Sequence, residues 1–89
     1  MILDSFENSV DSLIAPARLV FSIQPSDSED LPRTTKALYV GYGGDVALKA
    51  VDSETDVVLR NVVSGTVLAV RIDAIRETGT TASDLVGLA

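Results

Sequence analysis

The sequence predicts an all-β protein: a small β-sandwich or barrel of five to six short antiparallel strands with an extended N-terminal arm. Three observations carry this. The 89-residue chain is 46% hydrophobic yet has two Phe, two Tyr and no Trp, so its core must come from Val, Leu, Ile and Ala. Turn signals recur at intervals of about 8–12 residues. No stretch sustains a helical periodicity.

Residues 1–17 read as the arm. Leu13, Ile14 and Ala15 form a brief apolar patch, and Pro16 blocks a regular strand or helix there. Such an arm either drapes over its own domain or crosses to a neighbour, and nothing local decides which. Residues 18–89 read as one β domain, since the length leaves no room for two.

"RLVFSI", residues 18–23, is rich in β-formers and reads as the first strand. "QPSDSEDLPR", residues 24–33, is a loop, with Asp27, Glu29 and Asp30 expected in solvent and a cation site as the alternative. "KALYVG", residues 36–41, is a second strand. "GYGGD", residues 41–45, suits a tight turn with positive φ. "DVALKAV", residues 45–51, alternates Val46, Leu48 and Ala50 against a wetter face of Ala47, Lys49 and Val51. "DSETD", residues 52–56, is a polar hairpin tip, and "VVLRNV", residues 57–62, is the returning strand.

"TVLAVRIDAIRE", residues 66–77, reads as the longest strand. Leu68, Val70, Ile72 and Ala74 point one way; Val67, Ala69, Arg71 and Asp73 point the other. Ile75 breaks the alternation, which predicts a bulge near residues 73–75. "TGTTASD", residues 78–84, is a loop, and "LVGLA" a short last strand that seals the sheet edge.

Composition excludes more functions than it suggests. Without Cys there is no disulfide, thiolate ligand or thiol nucleophile. Without His the commonest metal ligand and general base are missing. These absences argue against an enzyme and against a cofactor. The net charge of −6 disfavours nucleic acid and anionic membrane as partners. The basic residues form no cluster that would make a nucleic-acid patch. The start "MILDSFENSVDS" has neither the basic head nor the apolar run of a secretory signal, so folding in the cytoplasm is expected. No run approaches the roughly 20 apolar residues of a membrane span. The high apolar fraction is the kind expected where other subunits cover part of the surface.

Three motifs look chemical and fail. "DSETD" starts like a calcium loop, but the sixth and twelfth positions, Val57 and Val63, should be Gly and a carboxylate. "GYGGD" lacks the Lys-Ser/Thr and following helix of a phosphate loop. "ETGTT" puts Glu77 where an aspartic protease has Asp, with no second carboxylate to share a proton. Thr78, Thr80, Thr81 and Ser83 are therefore expected to satisfy backbone groups locally, around a sharp turn at Gly79. Arg71 and Arg76 suit an interface with a neighbour, because the guanidinium fork pairs with carboxylates; a solvated sheet face is the plainer reading. Tyr39 and Tyr42 are the only tyrosines, and Tyr42, in the Gly-rich turn, is the candidate for an exposed glycan contact.

Four stretches in order carry a family resemblance: "APARLVFSIQPSDSEDLP" (15–32), "KALYVGYGGDVAL" (36–48), "NVVSGTVLAVRIDAI" (61–75) and "TGTTASDLVGL" (78–88). Together they resemble the head spike base proteins of tailed phages and of phage-like gene transfer agents. That family runs a "SPAR"-like start, a "PSDS.DLP" loop, an "ALYVG" strand, an "NV.AGT.LPVR" strand and a "TGTTA..IV.L" end. Ala15 stands where Ser is usual and Ala69 where Pro is expected, and the tip "AVDSETDVVL" is more acidic than in typical members.

The resemblance implies a non-catalytic virion protein on the capsid exterior, assembled in the host cytoplasm. Its expected partners are the major capsid protein, further copies of itself as a trimer or pentamer, and a spike or fibre protein. Leu13 and Ile14 of the arm join Arg71 and Arg76 as candidate capsid or subunit contacts. The alternatives are a cement or decoration protein that stabilises the shell, or a glycan-binding virion module through Tyr42.

Overall fold

The computed structural model describes residues 16–89. They form two antiparallel sheets from seven strands: β1 (Val20–Ser22), β2 (Ala37–Tyr42), β3 (Gly44–Ala50), β4 (Val57–Val62), β5 (Thr66–Leu68), β6 (Ile72–Arg76) and β7 (Ser83–Leu88). One sheet runs β1-β7-β2-β5 and the other β4-β3-β6. Among the described residues there is no helix. The all-β expectation holds, with more strands than the five to six expected.

The core lies between the sheets. Leu38, Val40 and Leu85 from the four-stranded sheet meet Val46, Leu48, Ile72 and Ile75 from the three-stranded one. The strands alternate accordingly: in β2, Leu38 and Val40 are fully buried while Tyr39 faces out. Ring packing is tight enough that a Cβ on Gly87 would meet the Phe21 ring at 2.6 Å.

The single strand expected over 66–77 is two strands in different sheets. β5 pairs with β2, the chain leaves that sheet at residues 69–71, and β6 pairs with β3. Thr35 stabilises this crossover. It is fully buried, its amide donates to Ile72 O at 3.1 Å, its hydroxyl donates to Val70 O at 3.3 Å, and it accepts from Ile72 N at 3.1 Å. The expected bulge is present. Lys49 pairs with Ala74 and Ala50 with Ile72, which leaves Asp73 as the extra residue. It lets Ala74 and Ile75 both be buried.

Two further expectations are corrected. "GYGGD" is no hairpin turn: β2 and β3 belong to different sheets, and Gly43 is the corner between them. A Cβ on Gly43 would lie 2.3 Å from Val62 O, so the corner depends on close backbone approach there, while the expected positive φ is found at Gly44, at 154°. The last strand does not seal an edge. β7 sits between β1 and β2, and the edges of its sheet are the three-residue strands β1 and β5.

Candidate interaction surface

The polar groups singled out in the sequence fold into a buttress for the three-stranded sheet. Segment 26–35 runs along the outer edge of β6: Ser26 N donates to Ile75 O at 2.9 Å and Leu31 N to Asp73 O at 2.7 Å. The acidic loop thus covers a strand edge that would otherwise be open. Asp27 then reaches the "TGTT" turn. Thr78 N donates to its Oδ1 at 2.8 Å and Thr78 Oγ1 to its Oδ2 at 2.6 Å. These bonds, the Thr78 hydroxyl foremost and its amide next, hold the Asp27 carboxyl below its ordinary pKa against an opposing desolvation, with the Glu77 amide and the Arg76 charge adding to the lowering.

The other threonines do related work. Thr80 Oγ1 donates to Arg76 O at 2.6 Å and accepts from Ala47 N at 2.9 Å. Thr81 Oγ1 accepts from Asp45 N at 2.9 Å. Only the Thr80–Arg76 bond is local; the rest join segments far apart in sequence. This turn packs on β3 and buries Ala47, on the face expected to be wet. Asp45 completes the network. Its carboxylate accepts from Asn61 N at 2.9 Å and pairs with Arg60 at 3.3 Å. Asn61 has φ 58° and is accommodated in a bulge of β4, a conformation that Asn tolerates better than most residues.

Arg76 is engaged within the chain. Its Nε donates to both Asp56 oxygens at 3.3 Å, and Nη2 lies 3.6 Å from Asp30 Oδ1. Its side chain is 19% exposed. It therefore ties the hairpin tip and the acidic loop to β6. Arg71 lies in the crossover, half-buried, and makes no ion pair among the described residues; its carbonyl accepts from Val51 N. Tyr42 ends β2 and is 66% exposed. Leu13 and Ile14 lie outside the described residues.

Among the described residues no group of three or more acids, His or Cys could hold a metal ion. An open cleft of about 270 Å³ is lined by Ile23, Gln24, Pro25, Glu77, Thr80 and Asp84 among others. Glu77 and Asp84 share this cleft with the hydroxyl residues Thr80 and Ser83.

The other notable surface is the outer face of the four-stranded sheet. Tyr39 pairs with Val67 on one side and Val86 on the other, and Val86 with Ser22. The next row is Ala37, Leu88 and Val20. None of these seven is charged. Val20 and Val67 are 64% and 55% exposed and Tyr39 39%. The sequence reading did not assemble this face, although the alternation of Ala37 and Tyr39 against Leu38 and Val40 is its local signal. Its other members become neighbours only through pairing.

No family model matches the chain, and none of the curated proteins matches it. Among solved structures, a chain of the capsid of a native gene transfer agent particle, computed with C5 symmetry, is 40% identical. The alignment covers 88% of this chain and 89% of that chain, with a TM-score of 0.77. At that identity, over nearly the full length of both chains, the protein belongs to the family of that particle component, a family of virion proteins of phages and gene transfer agents.

Proposed function

We propose that this protein is a non-catalytic structural component of the particle head, docked on the outside of the capsid as the oligomeric base of a head spike. The observation that carries the reading is its likeness, over nearly the whole chain, to a chain in a gene transfer agent capsid. The site chemistry agrees with it. The polar strings "PSDSEDLP" and "TGTT" supply Asp27, Thr78 and Thr80 to hydrogen bonds inside the fold. The outer face of the four-stranded sheet keeps exposed rows without charge, around Val20, Tyr39 and Val67.

Mechanism here means multivalent adhesion. Several subunits grip one symmetric capsomer, so that weak single contacts add through high effective concentration. Leu13 and Ile14 of the arm, with Arg71, are the contacts assigned to shell or neighbour. A cryo-EM map of the intact particle tests this. Five copies at each vertex are expected. Density at three-fold positions would replace the spike base with a cement protein, and no density on the head would overturn the capsid reading.

A further inference from the structure

The two edges of the three-stranded sheet are finished differently. The outer edge of β6 is covered by segment 26–35, through the bonds from Ser26 N to Ile75 O and from Leu31 N to Asp73 O. The outer edge of β4 has no such cover: among the described residues no strand or loop backbone pairs with it. A six-residue strand, Val57–Val62, thus presents a row of backbone donors and acceptors, which is a template for one more strand.

The pairing on the other side of β4 shows which residues form that row. Ala47 N donates to Thr80 Oγ1 on the β6 side, so the Ala47 backbone points away from β4. Its partner Val58 therefore makes no ladder bond to β3, and the flanking pairs Val46–Leu59 and Leu48–Val57 carry them. The N–H and C=O of Val58 point outward, as do those of Asp56 and Arg60 by alternation. Beyond Arg60 the strand is bulged, and Asn61 N turns to the Asp45 carboxylate. The open stretch is residues 56–60, "DVVLR", with no Pro and with opposite charges at its two ends.

That stretch is self-complementary. Set antiparallel to a second copy about a two-fold axis at Val58, it pairs Val58 with its counterpart and Asp56 of each copy with Arg60 of the other. The Val58 residues then exchange backbone bonds, and the Asp56–Arg60 pairs are the next bonded positions along the ladder. Between them Val57, 51% exposed, meets Leu59 of the second copy. Both charges keep capacity for this. Arg60, 75% exposed, meets Asp45 through Nη1, which leaves the rest of its fork for a second carboxylate. Asp56, 45% exposed, accepts from Arg76 Nε and retains further lone pairs.

We propose that β4 is a self-pairing edge: two copies of the chain join through residues 56–60 into one six-stranded sheet, β6-β3-β4 continued by β4-β3-β6 of the second copy. Charge selects a second copy over the chain's own first fifteen residues, which hold Asp4, Glu7 and Asp11 but no Lys or Arg to set against Asp56. The contact is isologous and closes on itself, so it leaves the other surfaces free and does not depend on the spike-base reading. Five paired residues bury less than a standard interface, so the association is weak and reversible.

Sedimentation equilibrium of purified full-length protein, taken up to about millimolar concentration, tests this, with NMR amide exchange as a second readout. The wild type should dimerise, and the Val58 amide should exchange more slowly as concentration rises. Asp56→Arg and Arg60→Glu each set like charges together twice in the pair. Each should weaken dimerisation by about tenfold or more, with unchanged far-UV circular dichroism. Mixed one to one, the two variants should form a heterodimer, because every end pair is again of opposite sign. Arg60→Glu alone decides if Asp56→Arg fails to fold. Val58→Pro removes only an outward-facing N–H and should abolish pairing. A wild type that stays monomeric, a dimer indifferent to Arg60→Glu, or a mixture of folded variants that forms no heterodimer would each overturn the proposal. So would a Val58 amide equally protected at every concentration, which would mean that the chain covers its own edge.

Discussion

Asp27 and Thr78, 51 residues apart in sequence, are joined by two hydrogen bonds that use both carboxylate oxygens of the one and both donors of the other. The pair links the loop after β1 to the turn before β7. It also makes the fold sensitive to acid in a defined direction. In the folded state the Asp27 carboxyl is held below its ordinary value of 3.8. Its contribution is therefore present above that value and is lost as pH falls through the depressed pKa. Asp27→Asn and Thr78→Val should both unfold at lower urea than wild type near neutral pH. The gap should shrink at pH well below the carboxylate range. An equal gap at both pH values would count against the linkage.

Thr35 is the polar residue whose loss should cost most. Thr35→Val keeps the shape and leaves Ile72 N and Val70 O without their hydroxyl partner in the interior. The expected loss is about 1–3 kcal/mol, read from chemical unfolding. A loss under half a kcal/mol, roughly the scale of an ordinary surface substitution, would mean that the crossover finds other partners.

Gly79 has φ 94° and a Cβ added there would lie 3.3 Å from the Ala47 Cβ. Gly79→Ala should destabilise by about 1–2 kcal/mol, from backbone strain and the crowded contact together. Circular dichroism melts would show it as a lower midpoint with an unchanged native spectrum. A midpoint at or above the wild-type value would show that the turn relaxes at little cost.

Arg76 and Arg71 should separate. Arg76→Ala removes the tether to Asp56 and Asp30 and should lower stability by about 1 kcal/mol or less, since both acids are well exposed. Arg71→Ala should leave stability within about 0.5 kcal/mol while weakening shell binding. If Arg76→Ala weakens shell binding and Arg71→Ala does not, their assigned roles are reversed.

Much of this protein could be read before folding. The alternation of Val46 and Leu48 marks β3, the acidic "DSETD" marks the tip of the β3–β4 hairpin, and Ile75 out of phase marks the bulge at Asp73. These are local properties, set by φ preferences and side-chain period within a few residues. The ordered set of turn strings was enough to suggest the virion family. The tertiary structure decided what depends on pairing at a distance. It split residues 66–77 between two sheets because β2 and β3, in different sheets, each claim part of them. It placed β7 inside its sheet, since β1 and β2 both pair with it. It turned Arg76 inward because Asp56 and Asp30 converge on β6 from separate loops. It also built the apolar face, whose members Val20, Tyr39, Val67 and Val86 become neighbours only across strands. A side chain's period along one strand says which way it points, but only the partner strands determine what it meets there.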